Sequence, residues 1–160
     1  MRSEAKLIKL LTDKKLTIGS VESLTAGGFI ATLANIPGAS KVVRGGLVTY
    51  QSTFKTALLG INKNIIDKYG VVSEEIAILM AKGGMKIIDS DIVISFTGNA
   101  GPTAEKGDAE VGRVYMSILC KPNLKKPFIF TKVYKGDRNA IRKSVINDAI
   151  SSLIKIINGK

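Results

Sequence analysis

The sequence predicts an α/β fold, a three-layer α/β/α sandwich with a largely parallel mixed sheet, and three observations carry that expectation. Helical and strand-like segments alternate along the chain. One strand candidate, Ile92-Val93-Ile94, is apolar at consecutive positions, as expected where helices cover both faces of a sheet. Apolar residues make up 45% of the 160 residues, which is enough for one sizeable core in a domain of ordinary length. One domain over residues 1–160 is therefore expected.

The first element is a helix: Glu4 to Leu11 places Leu7, Leu10 and Leu11 at helical spacing, closed by Lys14-Lys15. Leu16 to Val21 reads as a short strand running into the small-residue turn Glu22-Ser23-Leu24-Thr25-Ala26-Gly27-Gly28, then a helical stretch from Phe29 to Ala34. Pro37-Gly38 breaks the chain before a strand from Gly46 to Tyr50 and helical patches from Ser52 to Tyr69. Ser73 is a good N-cap, with Glu74 and Glu75 in the first turn where the helix dipole favours anions, and the helix carries Ile76, Leu79, Met80 and Met85 to about Asp89. Asp91 to Phe96 is the buried strand, and a polar loop runs from Gly98 to Glu110. Val111 to Leu119 and Phe128 to Tyr134 form a hairpin across Pro122-Asn123, the one antiparallel pair expected. Asp137 caps a last helix with Ile141, Val145, Ala149 and Leu153 on one face.

Composition removes several function classes. No apolar run approaches the roughly 20 residues of a membrane span, and the mixed-charge N-terminus lacks the apolar segment of a secretory signal, so a cytoplasmic protein is expected. The single cysteine, Cys120, lies in an apolar strand-like run and reads as a buried thiol rather than a nucleophile. There is no histidine, so imidazole catalysis and His-ligated metal sites are excluded. Lys and Arg outnumber Asp and Glu by 24 to 13, which favours anionic partners. The lysines are scattered rather than gathered on one face, which argues against a nucleic-acid interface.

In open α/β sheets ligands bind beyond the carboxyl ends of the strands, which singles out the loops after Val21, Tyr50 and Phe96. The first holds Glu22, Ser23 and Thr25, then Gly27 and Gly28. Such a turn can bind an anion on its N–H groups, present a serine at the sheet edge, or simply cap a helix, the commonest case. The second holds Tyr50 and Lys55, and the third Thr97, Gly98 and Asn99. Singly, Lys55 reads as a solvated lysine and Thr97 and Asn99 as turn formers. Arg138 and Arg142, four apart on the last helix, face one anion as a pair or are solvated.

Five ordered blocks then carry a resemblance. Glu22 to Gly28 is similar to the E-S-[LC]-T-[GA]-G signature of the CinA C-terminal domain family. Arg44-Gly45-Gly46-Leu47-Val48-Thr49-Tyr50 with Lys55, and Gly70-Val71-Val72-Ser73-Glu74-Glu75, match next. Ser95-Phe96-Thr97-Gly98-Asn99-Ala100-Gly101-Pro102 with Val111-Gly112-Arg113-Val114-Tyr115, and Gly136-Asp137-Arg138 with Arg142, complete the set. The resemblance covers essentially the whole chain. Larger bacterial members carry an additional N-terminal molybdopterin-binding-like domain, which is not expected here.

The resemblance implies hydrolysis of the carboxamide of nicotinamide mononucleotide to nicotinate mononucleotide and ammonia. It implies no cofactor and a small-molecule substrate as the partner. With that reaction in view, Ser23 is expected as nucleophile, Lys55 as general base and Tyr50 as orienter or proton relay. Glu22, Thr25, Gly27 and Gly28 would lie around the oxyanion, and Thr97, Gly98 and Asn99 around the carboxamide or ribose. Arg138 and Arg142 would grip the 5′-phosphate. Apolar edges on so small a domain lead to the expectation of a homodimer. Two departures stand out: Asn99 replaces a usual bulky aliphatic residue, and Thr103 to Glu110 is acidic where the family has a Gly-rich loop ending in Lys-Pro. Two other readings remain, a catalytically silent nucleotide-binding module and a competence-linked interaction protein.

Overall fold

In the computed structural model, which describes residues 1–159, the Ile92-Val93-Ile94 segment is the middle strand of a five-stranded sheet. The elements are α1 (Ser3–Lys14), β1 (Ile18–Glu22), α2 (Gly28–Ala34), β2 (Val43–Val48), α3 (Ser52–Leu59), α4 (Lys63–Tyr69), α5 (Glu74–Ile88), β3 (Ile92–Gly98), β4 (Arg113–Cys120), β5 (Phe128–Val133) and α6 (Arg138–Ile157). Alternate β3 side chains enter two apolar layers. Ile92, Ile94 and Phe96 pack with α1, α2 and α6, while Val93 packs with α4 and α5. That is the expected three-layer sandwich.

The sheet order is β2-β1-β3-β4-β5. β1 pairs in parallel with β2 and β3, whereas β4 pairs antiparallel with both β3 and β5. The sequence predicts a single antiparallel pair; β4 makes two. The connection between β3 and β4 holds no helix, and a strand without a crossover helix returns antiparallel beside its predecessor. Only β4 opposes the other four strands.

The caps expected from the sequence are made. Ser73 Oγ accepts from the Ile76 N–H at 3.3 Å, and Asp137 Oδ1 accepts from the Ala140 N–H at 2.8 Å. One boundary differs usefully. β2 begins at Val43 rather than Gly46, since the adjacent glycines Gly45 and Gly46 mask the strand pattern. A Cβ on Gly46 would lie 2.6 Å from Ile30 Cγ1 and 2.9 Å from Ser20 Oγ, so the glycine lets α2 lie close on the sheet. The helical patches from Ser52 to Tyr69 divide into α3 and α4 at Gly60.

Register brings the three loops together. Glu22 pairs with Val48 on one side and Phe96 on the other, so Ser23 and Thr49 leave the sheet level with Thr97, near the end of β3. Parallel order 2-1-3 makes the β1/β3 boundary the switch point where ligand crevices form. Among the described residues, no helix is long and apolar enough to cross a membrane.

Candidate active site

Ser23 is the first residue past β1, and its N–H donates to the Phe96 carbonyl at 3.1 Å. The chain then makes two tight turns. The Ala26 N–H donates to the Ser23 carbonyl at 3.0 Å, and the Gly28 N–H to the Thr25 carbonyl at 2.8 Å. Ala26 and Gly27 have φ of 48° and 89°, left-handed values that glycine adopts freely and that the Ala26 Cβ makes costlier. Glu22 anchors the start of α2. Its fully buried carboxylate accepts from Phe29 N at 2.9 Å, Ile30 N at 3.3 Å and Ser20 Oγ at 2.9 Å, which satisfies the first donors of that helix.

Lys55 stands on the first turn of α3 and is the only residue of that helix that is fully buried. Side chains on a helix lean toward its N-terminus, and here that direction leads back to Thr49, Tyr50 and Ser23. The amine Nζ lies 3.0 Å from Ser23 Oγ, 2.6 Å from the Thr49 carbonyl and 3.3 Å from the Tyr50 carbonyl. Among the described residues it has no carboxylate partner in an ion pair. Burial pushes its pKa down from 10.5 to about 8.

Protonated, the ammonium can donate to all three acceptors. Once it is neutral, the two carbonyls hold its two N–H bonds and its lone pair is left facing the serine hydroxyl. This geometry can draw a proton from Ser23.

A cleft of about 810 Å³ opens over Ser23 and Leu24. Its walls include Tyr50, Tyr69 to Val72, Thr97 to Ala100, Glu105, Asp108 and Arg138. That volume falls within the usual range for small-molecule sites. Arg138 bridges two walls, donating from Nη1 to the Gly101 carbonyl and from Nη2 to the Tyr50 hydroxyl, both at 2.6 Å. Among the described residues, no cluster of Cys, Asp or Glu is placed to hold a metal ion. Burial raises the pKa of Cys120, far from the cleft in the sheet.

A family model, the CinA C-terminal domain, matches residues 1–157. The chain belongs to the CinA C-terminal domain family. A CinA-like protein of Thermotoga maritima is 35% identical over 159 residues, a match covering 99% of this chain and 38% of that protein. The chain thus spans less than half the length of such relatives. A crystal structure of a CinA superfamily protein from Klebsiella pneumoniae superposes with a TM-score of 0.92 at 21% identity, over 99% of this chain and 97% of that one. The competence/damage inducible protein CihA of Agrobacterium tumefaciens gives 0.89 at 28% identity, over 99% of this chain and 97% of that one.

Against this family fold, the residues expected at the site separate clearly. Ser23 and Lys55 come together as expected, and Thr97, Gly98, Asn99 and Arg138 line the cleft. Glu22, Thr25, Gly27, Gly28 and Arg142 do not line it. Glu22 caps α2, as its carboxylate is buried against three internal donors. Gly27 and Gly28 shape the turn. Arg142 is tied to main chain, with Nε 2.8 Å from the Leu24 carbonyl and Nη2 3.2 Å from the Thr25 carbonyl, so it does not pair with Arg138 over one anion.

Two further roles differ from expectation. The Tyr50 ring is half exposed and its hydroxyl binds Arg138, so the phenol is not in the serine–lysine contact; its carbonyl is. Asn99 uses both ends of its amide on the loop, accepting from Gly101 N at 2.9 Å and donating to the Ala109 carbonyl at 3.1 Å. Thr97 Oγ1 donates to the Val71 carbonyl at 2.8 Å. The Thr49 and Tyr50 carbonyls have no signal in the sequence, because any residue supplies a carbonyl.

Proposed function

We propose that this chain hydrolyses the carboxamide of nicotinamide mononucleotide, giving nicotinate mononucleotide and ammonia. The 3.0 Å contact between the buried Lys55 amine and Ser23 Oγ carries this reading. Neutral Lys55 takes the hydroxyl proton as Ser23 Oγ bonds to the carboxamide carbon. The carbonyl oxygen becomes an oxyanion facing the N–H groups of the serine turn. As the C–N bond breaks, Lys55 returns its proton to the leaving nitrogen, ammonia departs, and an ester to Ser23 remains. Water then attacks that ester, Lys55 accepts the water's proton, and the Ser23 oxygen leaves and is reprotonated. The product carboxylate is released.

The cleft's size suits a mononucleotide, and Arg138 keeps unused N–H donors there for a phosphate. The sequence resemblance supplies the choice of amide. The test is ammonia release from nicotinamide mononucleotide by the purified protein, with Ser23→Ala as control. We expect steady release by the wild type and almost none by the variant. Release no faster than in a protein-free blank would overturn the proposal.

A further inference from the structure

Arg142 on α6 crosses to the serine turn and grips it through two main-chain carbonyls. Its Nε donates to the Leu24 carbonyl at 2.8 Å and its Nη2 to the Thr25 carbonyl at 3.2 Å. These two residues come directly after Ser23, 117 to 118 positions before the arginine in sequence. In a trans peptide, C=O and N–H point in opposite directions. Holding the Leu24 and Thr25 carbonyls toward α6 therefore fixes both peptides after Leu24, with their N–H groups turned away from that helix. Likewise, the bond from Ala26 N to the Ser23 carbonyl, 3.0 Å, turns the Leu24 N–H outward from the turn. Among the described residues, the Leu24 N–H meets no acceptor, and Leu24 lines the cleft. The N–H of the residue directly after a nucleophilic serine is a recurrent oxyanion donor in acyl transfer.

We propose that Arg142 is a positioning residue: it locks the turn after Ser23 so that the Leu24 N–H stays aimed at the oxyanion. This rests on the amidase reading above. The guanidinium suits the task because its planar fork reaches two carbonyls at once, from Nε and Nη2. A lysine at this place offers one ammonium and cannot hold both peptides in plane. Arg142 touches no reacting atom, so the effect reaches the chemistry only through the turn.

The test uses Arg142→Lys and Arg142→Ala in the full chain, with nicotinamide mononucleotide as substrate. Circular dichroism and a thermal melt check folding. Arg142→Lys keeps the aliphatic stem, so its fold should survive. We expect kcat to fall roughly ten- to a hundred-fold in both variants with KM nearly unchanged, since misplaced groups cost turnover at about this scale. Guanidinium ion at sub-denaturing concentration should restore part of kcat to Arg142→Ala and none to the wild type. The acid limb of the pH profile should not move, because burial is what lowers Lys55. A raised KM with normal kcat would mean that Arg142 binds substrate, and would overturn the proposal. So would a folded Arg142→Lys with wild-type kcat. If the wild type itself released no ammonia, the amidase reading would fall and this inference with it; active wild type beside unaffected variants would overturn this inference alone.

Discussion

The two walls of the cleft are built in opposite ways. On the β1 side, Ser23, Thr49 and Lys55 are buried, and the amine meets only internal acceptors. On the other side, Thr103 to Asp108 are exposed. That segment is tethered by the Asn99 amide, by the 3.2 Å bond from Glu105 N to Asp108 Oδ2, and by the surface pair Arg113–Glu110 at 2.6 Å. Buried polar groups must be satisfied in one arrangement, whereas exposed ones exchange partners with water at little cost. The chemistry therefore lies where geometry is enforced, and the outline of the substrate is drawn by a segment free to vary. The departures from the family pattern fall in that second wall, at Asn99 and over residues 103–110.

Perturbing the buried wall should have the larger effect. Lys55→Met should lower turnover of nicotinamide mononucleotide by roughly a thousand-fold or more, as loss of a proton acceptor does in serine hydrolases. The same change should stabilise the fold at pH 7. The fall in pKa from 10.5 to about 8 corresponds to ~3 kcal/mol. Because the unfolded chain binds this proton more tightly, the wild type bears that penalty in full below pH 8 and loses it as pH rises toward 10.5. Denaturant melts of both proteins should show Lys55→Met ahead at pH 7 and the gap closing by about pH 10.5. A gap independent of pH would mean that the buried amine is not the cause.

The exposed wall should yield smaller changes of a different kind. Asn99→Ala removes the two bonds that close the 99–109 loop, costing on the order of 1–2 kcal/mol of local order. KM for nicotinamide mononucleotide should rise several-fold while kcat changes little, as steady-state kinetics would show. A collapse of kcat with unchanged KM would place Asn99 in the buried machinery instead.

The same contrast governs how much is legible in the sequence. Periodicity carries the alternation of elements, the helices on both faces of β3 and the caps at Ser73 and Asp137, because each is a local pattern. The insertion of β4 between β3 and β5 is not legible, since partner choice depends on a connection whose lack of a helix is silent about register. Ser23 and Lys55 taken singly read as a turn serine and a solvated lysine; the family blocks pair them, and their contact lies 32 residues apart in sequence. Arg142 and Glu22 depart from expectation for a common reason. Both have the residue type of a ligand contact, yet both bind backbone through folding that no local pattern records. Tyr50 contributes its carbonyl, a group on which side-chain chemistry carries no information.

If a buried, neutral amine activates Ser23, the pH dependence of kcat/KM for nicotinamide mononucleotide must show it, because that profile reports groups of the free protein. Below pH 8 the ammonium cannot accept a proton, so kcat/KM should climb about ten-fold per pH unit and level off above about 8. A profile flat from acid to alkaline pH, or one still climbing toward the ordinary lysine value of 10.5, would contradict it.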